Sequence, residues 1–235
     1  MYGPPGTGKT STVLALAKDL FGPDFYRQRV LELNASDERG IIVVREKVKK
    51  FAQRKIARHP DGRNVPQLQF VILDEADSMT DDAQAALRRI IEAYCDTTRF
   101  CIICNYISKI IDPLASRCVK FRFGPIAFQA QQERLLSICQ AEGVNLQSDQ
   151  VIDKLISLTE GDLRRSINML QTCASFTRET GLSEADIESV SGCVPKKAIL
   201  MITTVTGTRG ATYADIQRVA EDLILEGYDC QQLLH

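Results

Sequence analysis

Apolar positions along the chain follow two rhythms. Short apolar runs at residues 30–34, 70–73, 100–104 and 119–123 predict strands. Helical spacing takes over at 40–53 and 81–94, and also ahead of the first strand, from about residue 9 to residue 20. Strands that alternate with helices make an α/β domain with a mostly parallel sheet. Residues 61–67, which carry Gly62 and Pro66 and follow Pro60, read as a loop. Phe123-Gly124-Pro125 ends the strand region. From there helix follows helix, at 130–142, 149–159, 163–177 and 184–190, with Ser148 and Ser183 where N-caps belong. Beyond Pro195 a helix near 214–226 is closed by Gly227. The expected divisions are therefore 1–125 for the α/β domain, 126–192 for a small helical domain and 193–235 for the start of a third, helical region.

Composition narrows the classes. A chain of 235 residues with 44% hydrophobic and 25% charged residues is ordinary for a globular protein with a sizeable core. The net charge of −1 supplies no global attraction to DNA or membrane, so a nucleic-acid contact must rest on a local basic patch. No apolar run reaches the ~20 residues of a membrane span, and no signal-peptide pattern opens the chain. Of the eight cysteines, Cys101 and Cys104 form a C-x-x-C, but inside an apolar run. Cys95, Cys118, Cys139, Cys173, Cys193 and Cys230 are scattered. All eight read as small core residues of a reducing compartment rather than as metal ligands or disulfides.

The densest chemistry lies at the start. Gly3-Pro4-Pro5-Gly6-Thr7-Gly8-Lys9-Thr10 fits the phosphate-loop pattern G-x-x-x-x-G-K-[ST], with Ser11 next in line. Glycines let the backbone curl and bring N–H groups against phosphate oxygens, and the following helix points its positive end at the same anion. Lys9 would reach the β and γ phosphates, and the Thr10 hydroxyl would hold Mg²⁺. A nucleoside triphosphate is the default ligand. Such a loop needs a strand before it, and only Met1 and Tyr2 are there.

Later motifs discriminate among the many proteins that carry this loop. Phe70-Val71-Ile72-Leu73 leads into Asp74 and Glu75, placing acids at a strand's carboxyl end, where open α/β sheets bind ligands. One carboxylate here could serve Mg²⁺ and the second, Glu75, could polarise the attacking water, although a strand end followed by a solvated acidic turn has the same pattern. Asn105, after the next strand, can orient water by its amide, although Asn also simply forms turns there. Arg117, in Ser116-Arg117-Cys118, offers a planar fork for phosphate oxygens or a surface ion pair. Arg164 opens a helix of the second domain, where it could touch nucleotide or serve as an ordinary charged helix start.

Together these residues resemble the AAA+ ATPases. The runs from Leu31 to Gly40 and from Leu73 to Thr80, together with Ala86-Leu87-Arg88-Arg89 and Ser116-Arg117-Cys118, resemble the small subunits of eukaryotic replication factor C, the clamp loader. Cys104-Asn105-Tyr106 matches one subunit type within that family. The resemblance is dense from Gly3 to about Phe123, clear through Ser166 and weaker beyond Pro195. It implies an AAA+ P-loop domain with its first strand missing, a helical lid and the beginning of a helical collar. It implies ATP and Mg²⁺, with Lys9, Thr10, Asp74 and Glu75 as the ATPase site, Asn105 as sensor 1 and Arg164 as sensor 2. Arg117 becomes an arginine finger acting in trans on a neighbour's ATP. A hetero-pentamer with the other clamp-loader subunits, a sliding clamp, primer–template DNA and a nuclear location follow from the same resemblance.

DNA contacts would be made to the backbone without base reading, by Arg39, Ile41, Arg45, Lys47, Lys49 and Lys50 around one helix and by Arg88 on the next. Without the resemblance those lysines read as a solvated face. Rival readings are another AAA+ motor or remodeller and a ring subunit that binds nucleotide without turnover. The missing strand makes Met1 read as an artificial or spliced start and His235 as an abrupt end, and such a piece alone is expected to bind ATP poorly.

Overall fold

Three parallel strands and the helices on both their faces build the first part of the computed structural model, which describes residues 1–36, 41–54, 66–177, 181–191, 200, 204 and 212–225. The elements of this part are α1 (Lys9–Arg29), β1 (Val30–Asn34), α2 (Ile41–Ala52), β2 (Gln69–Asp74), a 3₁₀ turn at Ala76–Ser78, α3 (Asp81–Tyr94), β3 (Thr98–Ile102), a second 3₁₀ turn at Ile107–Lys109 and α4 (Asp112–Ala115). The sheet order is β1-β2-β3, with Val30 opposite Phe70 and Gln69 opposite Thr98.

β2 lies at the centre, and its unbroken apolar run has a direct cause: both faces are covered. Phe70 and Ile72 join Val13, Ala17 and Phe21 of α1 on one side. Val71 and Leu73 join Val48 and Phe51 of α2 and Leu87 and Ile90 of α3 on the other. Each fully buried Leu or Ile contributes about 1.5–3 kcal/mol of burial.

Three expectations for this part need correction. The helix predicted over 9–20 continues to Arg29, broken at Gly22, whose φ of 68° and ψ of 171° are not helical. Pro23 follows it, and proline's missing N–H and fixed φ suit the first position of a restarted helix. The strand predicted over 100–104 is β3, two residues earlier, because its ladder with β2 begins at Thr98. The strand predicted over 119–123 is not formed as a ladder: Arg122 makes an isolated bridge to Tyr2, while Val119 and Phe121 are 77% and 56% exposed. A strand needs a partner along its length, and among the described residues Tyr2 alone pairs with this run. Tyr2 also bridges Cys104, so Met1 and Tyr2 lie between the extension of β3 and residues 121–123. Four backbone bonds hold them there, among them Phe123 N–H to Tyr2 O at 2.8 Å and Tyr2 N–H to Phe121 O at 2.9 Å.

The chain divides at Pro125/Ile126 into two units. The second contains α5 (Phe128–Glu142), α6 (Gln150–Thr159), α7 (Leu163–Phe176), α8 (Glu184–Ser191) and α9 (Tyr213–Leu225). Leu135, Cys139, Val151, Leu155, Leu170, Cys173 and Ile187 form its core. Ser183 caps α8 as expected, in a reciprocal pair: its hydroxyl and N–H bond Asp186 Oδ2 at 2.6 and 2.9 Å, and Asp186 N–H returns to the Ser183 hydroxyl at 3.3 Å. Ser148 does not cap α6, whose N-cap is Asp149 with no side-chain bond. Gly227, Cys193 and Cys230 lie outside the described residues.

The cysteines divide by burial. Cys104, Cys139 and Cys173 are core residues, Cys101 and Cys118 are half-buried, and Cys95 is exposed rather than buried as expected. Cys95 follows α3 at a turn, where the apolar stripe has ended. Among the described residues no helix is long and apolar enough to cross a membrane.

Candidate nucleotide-binding site

The phosphate loop leaves the sheet at Tyr2 and turns into α1 at Gly8. Two glycines have a steric requirement there. A Cβ on Gly3 would stand 2.0 Å from the Phe123 carbonyl oxygen, so the loop passes over that backbone only without a side chain. Gly8, the N-cap of α1, holds φ 83°, the left-handed region, with no side-chain cap. The first turn of this 21-residue helix carries no acid, which leaves its positive end suited to an anion. Thr7 closes the loop by donating its hydroxyl to Pro4 O at 2.9 Å.

Lys9 is buried, 7% exposed. Its Nζ donates to Gly3 O at 2.8 Å, Pro4 O at 2.7 Å and Asn105 Oδ1 at 3.0 Å. These three oxygens hold the ammonium at the mouth of the loop, where a phosphate would meet it. Thr10 donates its hydroxyl to Asp74 Oδ2 at 2.7 Å. Asp74 ends β2, and its other oxygen accepts the Glu75 N–H at 2.9 Å. A hydroxyl and a carboxylate side by side are the hard oxygen donors that Mg²⁺ takes, so Thr10 and Asp74 fit that ion.

Glu75 departs from ordinary backbone geometry, with φ 53° and ψ 39°. Such a left-handed non-glycine costs energy and persists where neighbours fix it. Here Ser78 donates both its N–H and its hydroxyl to Glu75 O, at 3.0 and 2.7 Å. The turn exposes the Glu75 side chain beside Asp74. Asn105 stands beyond β3, and its N–H donates to Asp77 Oδ2 at 3.3 Å. The strand ends thus gather Lys9, Thr10, Asp74, Glu75 and Asn105 in one place. Pro4, Pro5 and Ser11 are exposed around it, and Gly6 is half-buried.

The other anticipated residues lie apart. Arg117, just after α4, pairs through Nε with Glu92 Oε1 at 2.6 Å and donates Nη1 to Pro113 O at 2.6 Å. Arg164 belongs to the second unit, exposed in the first turn of α7, where Asp162 caps the Arg165 N–H at 3.0 Å. Lys47, Lys49 and Lys50 are exposed on α2, and Lys50 pairs with Glu46 at 3.7 Å. Arg88 is half-buried on α3, which packs beside α2 through Val48, Phe51 and Leu87. Arg39 lies outside the described residues, as do the side chains of Ile41 and Arg45.

Sequence reasoning missed Asp77, Glu92 and Gln84. Gln84, fully buried on α3, donates Nε2 to Lys109 O at 3.0 Å and to Met79 O at 3.3 Å, and accepts from Ile111 N–H at 2.9 Å. A signal for it existed, since Gln84 falls in the helical stripe of Ala83, Leu87 and Ile90.

A family model described as "ATPase family associated with various cellular activities (AAA)" matches residues 1–125, and an "RFC1-like, AAA+ ATPase lid domain" matches residues 129–185. The chain is 51% identical over its full length to replication factor C subunit 4 of Homo sapiens, and 46% identical to subunit 4 of Arabidopsis thaliana. It covers 64% of the human protein and 68% of the plant protein, so it spans about two thirds of the length of these curated relatives. Among solved structures, the Aeropyrum pernix ORC1 protein in complex with DNA aligns with a TM-score of 0.62 at 18% identity, over 97% of this chain and 72% of that one. A Thermotoga maritima RuvB structure aligns at 0.57 and 12% identity, over 87% and 66%; both likenesses concern the fold alone. The phosphate loop, the acids ending β2 and the helical unit after Pro125 are therefore those of a family, and the chain belongs to the AAA ATPases and, within them, to the replication factor C small subunits.

Proposed function

We propose that this chain is an ATP-hydrolysing subunit of a clamp loader, coupling ATP binding and hydrolysis to placement of a sliding clamp on primer–template DNA in the nucleus. The observation that carries the reading is the convergence of Lys9, Thr10, Asp74 and Asn105 at the carboxyl ends of β2 and β3 in a replication factor C chain. The N-terminus of α1 and Lys9 bind the triphosphate, and Asn105, already bonded to Lys9, lies where it can fix the attacking water. Glu75, beside Asp74 on a fixed turn, takes a proton from that water. Thr10 and Asp74 would hold Mg²⁺, which neutralises charge on the phosphate oxygens. Arg164 contacts the nucleotide from the lid, and Arg117 reaches a neighbouring subunit's phosphate within a hetero-pentamer. Lys47, Lys49, Lys50 and Arg88, with Arg39, Ile41 and Arg45, face DNA phosphates. The division 1–125, 126–192 and 193–235 into ATPase domain, lid and partial collar completes the reading.

The test is Glu75→Gln in the complex assembled with its partner subunits. ATP binding at this site should persist while its single-site turnover falls by about 10²-fold or more, the usual contribution of a general base. Clamp placement on primed DNA, read by retention of labelled clamp, should become slow to complete. Unchanged turnover refutes the role of Glu75. Clamp placement that never depends on this subunit refutes the function.

A further inference from the structure

Glu92, in the last turn of α3, faces two arginines with one carboxylate oxygen. Its Oε1 accepts from Arg117 Nε at 2.6 Å and stands 3.9 Å from Arg88 Nε. Only the first distance is a hydrogen bond. Arg88 Nε is buried and, among the described residues, without a hydrogen-bond partner. A buried donor left unmatched is costly, and the nearest charged acceptor is already occupied. Arg88 and Glu92 are four residues apart on one helix, so a side-chain rotation suffices to close the gap. Arg117, in contrast, approaches from the turn after α4, where Glu92 and the Pro113 carbonyl hold its guanidinium. Both guanidinium groups are therefore drawn to the same carboxylate oxygen, and turning it toward Arg88 would lengthen its bond to Arg117.

We propose that Glu92 is a shared latch: it parks Arg117 against its own subunit and takes Arg88 in exchange when Arg117 leaves for a neighbouring subunit's phosphate. The inference rests on the reading above of Arg117 as acting in trans and of Arg88 as a DNA contact. Its direction follows from guanidinium geometry. Arg88 held through Nε keeps both terminal nitrogens for a phosphate. A DNA phosphate that fixes Arg88 in this way favours the Arg88–Glu92 pair and loosens Glu92's grip on Arg117. Glu92 acts through Arg117 and Arg88 and is a positioning residue. The side chains of Glu92 and Arg117 are 42% and 40% exposed, so the latch is screened by salt. Exposed pairs of this kind shift an equilibrium by about 1.4- to 5-fold.

The experiment measures ATP hydrolysis by the assembled complex, with and without primer–template DNA, for the wild type, Glu92→Gln, Arg88→Ala and Arg117→Ala. Glu92→Gln should raise DNA-free hydrolysis by about 2- to 5-fold and lower the stimulation by DNA by the same factor. Arg88→Ala should reduce the stimulation by DNA, and the Arg88→Ala/Glu92→Gln double variant should show the DNA-free rate of Glu92→Gln. Raising ionic strength should increase the DNA-free rate of the wild type but not that of Glu92→Gln. A DNA-free rate that is unchanged or lower in Glu92→Gln overturns the latch. Arg117→Ala separates the two layers: if the neighbour's hydrolysis survives, the trans role fails and the latch with it. If hydrolysis is lost while Glu92→Gln behaves as wild type, the latch alone fails.

Discussion

Gln84→Ala is the perturbation whose consequence is most directly fixed by the structure. The side chain is fully buried; two of its three bonds join α3 to the segment that follows Asn105, and the third goes to Met79 O just ahead of α3. Removing it leaves the Ile111 N–H and the Lys109 carbonyl without their partners, at about 1–3 kcal/mol for each group that water cannot reach. The longer bond to Met79 O adds little. Water entering the small polar cavity would recover part of the loss, so the expected net cost is about 2–4 kcal/mol. For a domain of this size that corresponds to a fall in Tm of roughly 5–15 °C. Circular dichroism on heating reads the global loss, and hydrogen exchange at the Ile111 amide reads its location. Gln84→Leu refills the space without the bonds and should lose nearly as much as Gln84→Ala. A leucine variant as stable as the wild type, or unchanged protection of Ile111, would refute the claim that hydrogen bonds rather than packing hold this segment.

Other outcomes follow from single features. The Asp186 carboxyl is held below its ordinary value of 3.8 by the Ser183 hydroxyl and N–H. A group with a lowered folded pKa stabilises the fold above its unfolded value and loses that contribution as pH falls through the folded one. Stability of the helical unit should therefore decline more steeply below about pH 4 in the wild type than in Asp186→Asn, and parallel curves would exclude the cap as the cause. Replacing Lys47, Lys49 and Lys50 by alanine in the assembled complex should flatten the dependence of log affinity for DNA on log salt by about one to three. An unchanged slope places these lysines away from the phosphates.

The parts legible in the sequence are those fixed by short-range chemistry. The phosphate loop is recognisable because glycine spacing, Lys9 and Thr10 must be contiguous in the chain to surround one anion. β1 and α3 were bounded correctly because apolar runs and the Thr80 cap act within a few residues, with Thr80 Oγ1 accepting from Ala83 N–H at 3.4 Å. Asp74 was readable because four buried apolar residues precede it. What escaped depends on residues far apart. The 119–123 run has the apolar character of a strand, yet a ladder requires a partner, and Tyr2 pairs with only one of its residues. The helix predicted to stop near residue 20 resumes past Gly22, whose non-helical backbone interrupts it, and is carried on to Arg29. Glu92 meets Arg117 across 25 positions, a pairing that no periodicity encodes. Gln84 could have been flagged by its place in the apolar stripe, but its partners at Lys109 and Ile111 could not.

Tyr2 gives the first unit a mechanical property. Its N–H and carbonyl are tied to Phe121 and Phe123, and Gly3 rests directly on the Phe123 carbonyl. The stretch that carries Arg117 runs on, through Val119 and Lys120, into that same seat. A side chain at position 3 would therefore have to push back not only the loop but the backbone that leads on from Arg117, because the carbonyl it would meet belongs to that stretch.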